Sequence, residues 1–383
     1  MENLDHENVA PGRLEKYHSS RVLPLVYQLF ALGTLTILAY YEAKINTRRR
    51  NLLGYMLLFL GSVMVLVLDL ATSGKGGLGT FIGICGISCA FGVANAQVQG
   101  GMVGDVSFMT TEFIQSFLAG LAASGAVTSG LRLITKAAFE NSQDGLRKGA
   151  ILFFAISAIF ELLCVILYAF TFPRLPIVKY YRSKAASEGS KTVSADLAAG
   201  GIQNLSEGDE EDPNRVVERL SSKQLLSQNI DYILDIFLIY VQTSLIFPGF
   251  LSEDAGSHSL GSWYALVLIT MYNVWDFIGR YIPVLKFLKL KSRKRLVIAI
   301  QSRLLFVPAF YFTAKHGDQG WMIMLTSFLG LTNGYLTVCV FTSAPKGYKG
   351  PEQNALGNLL VLFLIGGIFA GVTLDWLWLI GKA

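Results

Sequence analysis

The sequence has little charge and few residues of the kinds that build metal or redox sites. Only 15% of its 383 residues are charged, whereas 52% are hydrophobic and the mean hydropathy is +0.47. The four cysteines lie inside apolar runs and are interpreted as small buried hydrophobic residues. The four histidines are scattered, so no metal site is predicted. This balance excludes a water-soluble globular domain and favours an integral membrane protein in a lipid bilayer.

Motifs of several kinds of membrane machine are also absent. The sequence has no GxxxxGK[ST] loop for ATP, no arginine-rich voltage sensor and no TVGYG selectivity filter. No nucleophile–base pair lies in or beside the apolar runs, so no enzyme and no cofactor are predicted. The net charge of +5 lies in loops and is interpreted as a topology signal, not as a nucleic-acid-binding surface.

Ten apolar runs are long enough, or nearly so, to cross a bilayer as helices. They cover roughly residues 21–43, 52–72, 78–100, 109–134, 149–173, 230–251, 262–282, 295–314, 320–343 and 356–380. Lysine and arginine are concentrated in alternate links, namely residues 44–50, 174–191, 286–295 and 346–349. Because basic links stay on the cytoplasmic side, these four are predicted to be cytoplasmic.

The chain is therefore predicted to be an all-α integral membrane protein in four parts. Residues 1–20 form a polar N-terminal tail without the apolar core of a signal peptide. Residues 21–173 and 230–383 form two helical bundles of five spans each. Residues 174–229 form a cytoplasmic loop that is polar throughout and acidic in its later part, and we expect it to be mostly disordered.

The most informative stretch is Tyr272–Tyr281, in the seventh span. Asn273, Asp276 and Arg280 are spaced i, i+3 and i+7, so they share one helix face, and Asp276 and Arg280 can pair across one turn. An ionised side chain inside a span costs roughly 2.5–3.5 kcal/mol on an insertion scale. The residues either line a polar cavity that binds a solute or form a structural ion pair between helices.

Other polar residues interrupt the remaining spans. Gln99 lies one turn after Asn95 in the third span and either binds another helix or contacts a polar solute. Glu161 lies in the middle of the fifth span and is a candidate for proton coupling or for a structural hydrogen bond. Asn333, beside Gly334 in the ninth span, is a candidate to face the cavity. Two bundles around a polar midplane favour a secondary transporter.

At these residues the chain resembles the equilibrative nucleoside transporter family, most closely its plant members. The resemblance runs from about residue 20 to residue 378 and is most specific at the Asn-x-x-Asp-x-x-Gly-Arg motif formed by Asn273, Asp276, Gly279 and Arg280. Further matching stretches are Phe91–Asp105, Phe247-Pro248, Ser302–Pro308, and Leu331–Leu336 with the Pro345-Lys346 turn.

The resemblance implies a two-bundle fold like that of the major facilitator transporters. It implies transport of purine and pyrimidine nucleosides, such as adenosine and uridine, by alternating access. Plant relatives suggest proton coupling, with Asp276 or Glu161 as the titrating group. By the same resemblance, Asp276 and Arg280 bind the ribose hydroxyls and Gln99 binds the edge of the base. Four further positions complete the predicted set: Asn273 and Asn333 in the cavity wall, and Tyr27 and Phe30 at the base. No metal ligand is predicted.

The chain departs from the family at its start. Members have eleven spans, as six plus five, but residues 1–19 are polar where the first span is expected, so ten remain. The alternative hypothesis is therefore a truncated, non-transporting or regulatory relative that associates with a full-length paralogue. The plasma membrane is the expected location, with the vacuolar membrane as the alternative.

Overall fold

A computed structural model of the chain describes residues 19–41, 45–74, 77–140, 142, 144–187, 220–253, 259–316 and 319–379. The described residues form helices joined by turns and contain no strand. The helices are α1 (Ser19–Tyr40), α2 (Thr47–Thr72), α3 (Leu78–Ser107), α4 (Thr111–Phe139), α5 (Gly145–Ile166), α6 (Pro176–Ser187), α7 (Ser222–Gln228), α8 (Ile230–Ser244), α9 (Gly249–Glu253), α10 (Tyr264–Tyr281), α11 (Arg293–Ser302), α12 (Phe306–His316), α13 (Gln319–Phe341) and α14 (Gly350–Asp375).

Nine helical segments in the described part of the chain are long and apolar enough to cross a membrane. They coincide with nine of the ten predicted spans, and α11 and α12 together form one of them. The remaining predicted span is α10, which is also helical. It falls outside the set because Asn273, Asp276 and Arg280 interrupt its apolar sequence.

The helices pack in two groups that meet mainly along three helix pairs. In the first group α3 packs against α1 and α2, and α5 packs against α2 and α4. In the second group α10 runs along α13, and α8 runs along α14 and also contacts α13. The groups meet where α4 packs along α10 and where α14 packs against α1 and α3. The seventh predicted span therefore lies at the boundary between them.

Close approach of α10 and α13 depends on glycine. A side chain at Gly279 would overlap the carbonyl oxygen of Leu331, and one at Gly334 would overlap the carbonyl oxygen of Asp276. Small residues allow helix backbones to come together in lipid, where packing rather than the hydrophobic effect holds helices in place. The two glycines therefore bring Asn333, next to Gly334, within reach of Asp276.

The predicted disordered loop of residues 174–229 requires correction at both ends. Helix α6 begins at Pro176, and Val178 and Ala185 are buried in a cluster with Phe108 and Met109 at the end of α3. Arg182 lies between them in sequence and binds Asp105, with 2.5 Å between Nη2 and Oδ2. Positions 178, 182 and 185 share one helix face, a short period that the polar composition of the loop obscured.

Helix α7 is the second ordered piece of that loop. Ser221 accepts a hydrogen bond from the backbone N–H of Gln224, whose side chain accepts one from the Ser221 N–H, which completes a capping box. The acidic stretch and the rest of residues 188–219 lie outside the described residues, as do residues 1–18 of the predicted N-terminal tail. The last two residues assigned to that tail, Ser19 and Ser20, belong to α1.

Candidate functional site

The predicted ion pair is present and buried. Arg280 donates from Nε and Nη2 to Oδ2 of Asp276, over 3.1 and 3.0 Å, and the two residues are 6% and 5% exposed. Arg280 Nη1 also donates to the carbonyl oxygen of Leu118 on α4. The pair therefore lies on α10, while its guanidinium reaches across to the other helix group. Burial this deep requires each charge to be paired or hydrogen-bonded.

Asn333 extends the ion pair into a longer network. Its Nδ2 donates to Asp276 Oδ1 over 2.7 Å, and its Oδ1 accepts from the Thr243 hydroxyl on α8 over 2.9 Å. The Thr243 hydroxyl in turn accepts from Arg303 Nη2 over 2.7 Å. A continuous chain of hydrogen bonds thus joins Arg280, Asp276, Asn333, Thr243 and Arg303 across α10, α13, α8 and the turn between α11 and α12.

Thr243 and Arg303 were not predicted as site residues. A signal for Arg303 existed, because it is a lone charge inside the eighth predicted span, and the same energetic cost that singled out Asp276 applies to it. Thr243 carried no signal, because threonine is common in membrane helices, where its hydroxyl usually bonds to a backbone oxygen of its own helix. The network holds two guanidinium groups, which stay protonated in proteins, and one carboxylate. Its net charge of about +1 attracts electron-rich groups.

Asn273 does not bind Asp276, although the two share a helix face. Its Nδ2 donates to the Ser129 hydroxyl on α4 over 2.6 Å. Gln115 of α4 also contacts α10, because its Nε2 donates to the backbone oxygen of Arg280 over 3.1 Å. Asn273 therefore belongs to the α4–α10 boundary, one turn away from the ion pair.

The predicted base-binding residues lie in the first helix group. Gln99 on α3 is half-buried and its Oε1 accepts from Asn95 Nδ2 over 3.1 Å. Tyr27 on α1 is half-buried and its backbone packs against Gly92 of α3, while Phe30 is exposed. Within the described residues no hydrogen bond joins these three side chains to Asp276 or Arg280. The structure therefore assembles part of the predicted set and places the rest on the opposite group.

Glu161 lies apart from the network. It is half-buried on α5 and faces Ser62 of α2, and its buried Oε2 has no hydrogen-bond partner in the part of the chain that the structure describes. The described residues contain no group of three or more histidine, cysteine or acidic side chains that could hold a metal ion.

The polar contact of Arg50 between the helix groups was not predicted. Arg50 of α2 donates to the backbone oxygens of Ala96 and Gln97 on α3, over 3.1 and 3.0 Å. It also donates to Asn358 Oδ1 of α14 over 3.2 Å. Arg50 falls in the basic link of residues 44–50, which was interpreted as a signal of topology, so a buried contact between the bundles was not expected there.

Structural comparison shows which known fold the chain shares. A human organic anion transporter, MFSD10 (TETRAN), superimposes with a TM-score of 0.53 over 94% of this chain and 79% of its own, at 12% identity. A bacterial homologue of the iron transporter ferroportin, solved in an outward-facing state, gives a TM-score of 0.54 over 96% and 84%, at 14% identity. Together with the nine apolar helical segments, these likenesses define a multi-pass membrane protein whose fold is like that of the major facilitator transporters.

Sequence comparison specifies the family. The nucleoside transporter family model matches residues 85–380. Equilibrative nucleotide transporter 3 of Arabidopsis thaliana is 68% identical over 366 residues, which are 96% of this chain and 87% of that protein. Equilibrative nucleotide transporter 1 of the same plant is 32% identical over 94% of this chain and 78% of its own length. The chain belongs to the equilibrative nucleoside transporter family as a plant-type member, which confirms the resemblance seen in its sequence.

Proposed function

We propose that the chain moves purine and pyrimidine nucleosides across a membrane by alternating access, with Asp276 and Arg280 binding the ribose. The observation that carries the proposal is the buried ion pair whose guanidinium reaches from α10 to Leu118 of α4. A polar group held at the boundary between two helix groups is where a solute can be bound from either side. Family membership supports the same substrate class.

The ion pair retains capacity for a hydroxyl group. An ionised carboxylate offers about four acceptor positions, and Asp276 uses three of them, for Asn333 and for two donors of Arg280. A guanidinium has about five N–H donors, and Arg280 spends three on Asp276 and Leu118. A ribose hydroxyl can therefore donate to Asp276 and accept from Arg280 while the salt bridge persists.

Gln99 is proposed to bind the base edge from the opposite group. An amide both donates and accepts, which suits purines and pyrimidines alike. Its bond to Asn95 lies within one helix turn and can be exchanged for a bond to the solute at little cost. Tyr27 and Phe30 are proposed to contact the base, and Asn273 to hold α10 against α4 while the solute is bound.

Proton coupling is assigned to Glu161 in preference to Asp276. The oxygens of Asp276 accept three hydrogen bonds from N–H groups, two of them from a guanidinium, and a proton added there would weaken those bonds. Glu161 has a buried oxygen without a partner, and protonation would relieve its cost in a low-dielectric setting. We propose the plasma membrane as the site of this proton-linked import.

Uptake of radiolabelled adenosine and uridine tests the proposal, in a yeast strain that lacks nucleoside import. Asp276→Asn keeps the shape of the side chain but removes the charge that pairs with Arg280, and we expect uptake to fall at least about tenfold. Asp231→Asn is the matched control, because Asp231 pairs with Arg293 at a partly exposed position. Surface protein is quantified for each variant. No saturable uptake by the wild type at normal surface level would contradict the proposed function.

The proton assignment has its own test. Glu161→Gln is expected to abolish the rise in uptake that acidic external pH produces, while leaving uptake at neutral pH within about twofold of the wild type. An unchanged pH profile in Glu161→Gln together with a flattened one in an active Asp276 variant would reverse the assignment.

A further inference from the structure

Arg303 is the second buried cation of the hydrogen-bonded network. It is 3% exposed, and its Nε and Nη1 donate to Thr332 Oγ1 and to the Ile239 backbone oxygen, over 3.1 and 3.0 Å. Its Nη2 donates to Thr243, and no acidic side chain contacts it among the residues that the structure describes. Burying a guanidinium without a carboxylate is costly, so we consider how Arg303 changes the hydrogen bonds of its neighbours.

The hydroxyl of Thr243 has one proton and two candidate acceptors. The backbone oxygen of Ile239 lies 2.8 Å from it, and Asn333 Oδ1 lies 2.9 Å from it. The Ile239 oxygen already accepts the helical N–H of Thr243 and Nη1 of Arg303, which fill its two lone pairs. The proton of Thr243 is therefore directed to Asn333.

We infer that Arg303 and Thr243 are positioning residues for Asp276. Arg303 occupies the alternative acceptor, the Thr243 hydroxyl donates its hydrogen bond to Asn333 Oδ1, and the amide is held with Nδ2 towards Asp276. The carboxylate then keeps one oxygen on Asn333 and presents its remaining acceptor capacity to a ribose hydroxyl. This inference rests on the proposed function, in which Asp276 binds the ribose, and names the residues that determine how it does so.

The arrangement has a consequence for substrate discrimination. Ribose hydroxyls need the oriented carboxylate, whereas a sugar without them does not. Loss of the Thr243 hydroxyl should therefore weaken binding of uridine far more than binding of 2′,3′-dideoxyuridine. A residue that merely stabilised the fold would reduce the amount of working protein and would affect both compounds equally.

The test compares Thr243→Val, Thr243→Ser and Thr326→Val in the same yeast uptake assay. Thr326 is the matched control, because it is a fully buried threonine of α13 whose hydroxyl, among the described residues, bonds only to its own helix, at Met322. The KM for uridine and the inhibition constant of 2′,3′-dideoxyuridine are measured beside surface protein. Thr243→Val should raise the uridine KM about fivefold to tenfold and change the dideoxyuridine constant less than about twofold.

The conservative variants sharpen the result. Thr243→Ser keeps the hydroxyl and should restore the uridine KM. Arg303→Lys keeps the charge but loses the forked donors, so it should repeat the selective change and add nothing when combined with Thr243→Val.

Four outcomes would overturn the positioning role. The first two are an unchanged uridine KM in Thr243→Val and an equal change for both compounds. In either case the proposed function would still stand if uptake depended on Asp276. A selective change in Thr326→Val as well would also overturn the positioning role. Absence of saturable uridine uptake by the wild type would overturn both proposals together.

Discussion

Removing the side chain of Arg182 tests whether the loop between the two bundles is part of the packed structure. The guanidinium pairs with Asp105 at 2.5 Å, and Asp105 is fully buried while Arg182 is 5% exposed. Asp105 has no other hydrogen-bond partner within the described residues, since its Oδ1 is unsatisfied. Arg182→Ala therefore leaves a carboxylate uncompensated inside the protein.

The expected cost follows from burial. Breaking a buried ion pair by removing one partner costs about 3–5 kcal/mol, because the remaining charge stays out of water. The pair of Arg293 with Asp231 is similar in length, at 3.0 Å, but its side chains are 52% and 27% exposed. Exposed pairs contribute about 0–1 kcal/mol, so Arg293→Ala is the matched control.

Thermal unfolding of detergent-purified protein, followed by fluorescence-detected size exclusion, measures the difference. Arg182→Ala should lower the melting temperature by at least about 6 °C, and Arg293→Ala by about 2 °C or less. Adding Asp105→Asn to Arg182→Ala should recover part of the loss, since no charge then remains buried. A melting temperature for Arg182→Ala equal to that of Arg293→Ala would refute the buried pairing of α6 with α3.

Two further changes test other features of the fold. Gly334→Ala places a methyl group against the carbonyl oxygen of Asp276 and should reduce surface protein severalfold, as measured by quantitative labelling. In the control Gly120→Ala the methyl group meets open space, so surface protein should not change. Normal surface expression of Gly334→Ala would contradict the close helix packing. Half-burial and the neighbouring Lys346 lower the pKa of Lys289, which lies in the link after α10. The charged form of Lys289 therefore reduces stability, fully so below its folded pKa and progressively less as pH rises towards the ordinary lysine value. Lys289→Gln should raise the melting temperature at pH 7 and lose that advantage by about pH 10.5, and a constant difference across this range would exclude the mechanism.

The parts of the site that sequence predicted are those fixed by local geometry. Asp276 and Arg280 pair because residues four apart meet on any helix, and their presence in an apolar run marked them without knowledge of the fold. Asn333 was identified by its place beside Gly334. The structure explains why the two residues matter together, because Gly334 allows α10 to pack closely enough for Asn333 to reach Asp276. The side-chain roles proposed for ribose and base remain predictions.

The parts that sequence did not predict depend on which helices become neighbours. Thr243 acquires its role because α8 lies beside α13, and Asn273 turns towards Ser129 because α4 packs along α10. Neither adjacency follows from helical periodicity. Helix α6 was missed for a different reason: its buried face consists of only a few positions, and averaging hydropathy over a polar loop removes so short a pattern.

The carbonyl group of Leu118 limits what mutation can reveal about this transporter. Every amino acid supplies a backbone oxygen, so no change of side chain at position 118 deletes the acceptor that Arg280 uses, and substitutions there report only on packing. A saturation scan would therefore detect Asp276 and Arg280 on α10 but would not detect the backbone acceptor on α4. The contribution of α4 to this contact therefore depends on helix geometry rather than on residue identity. It can be perturbed only by changes, such as a proline one turn later, that move the backbone itself.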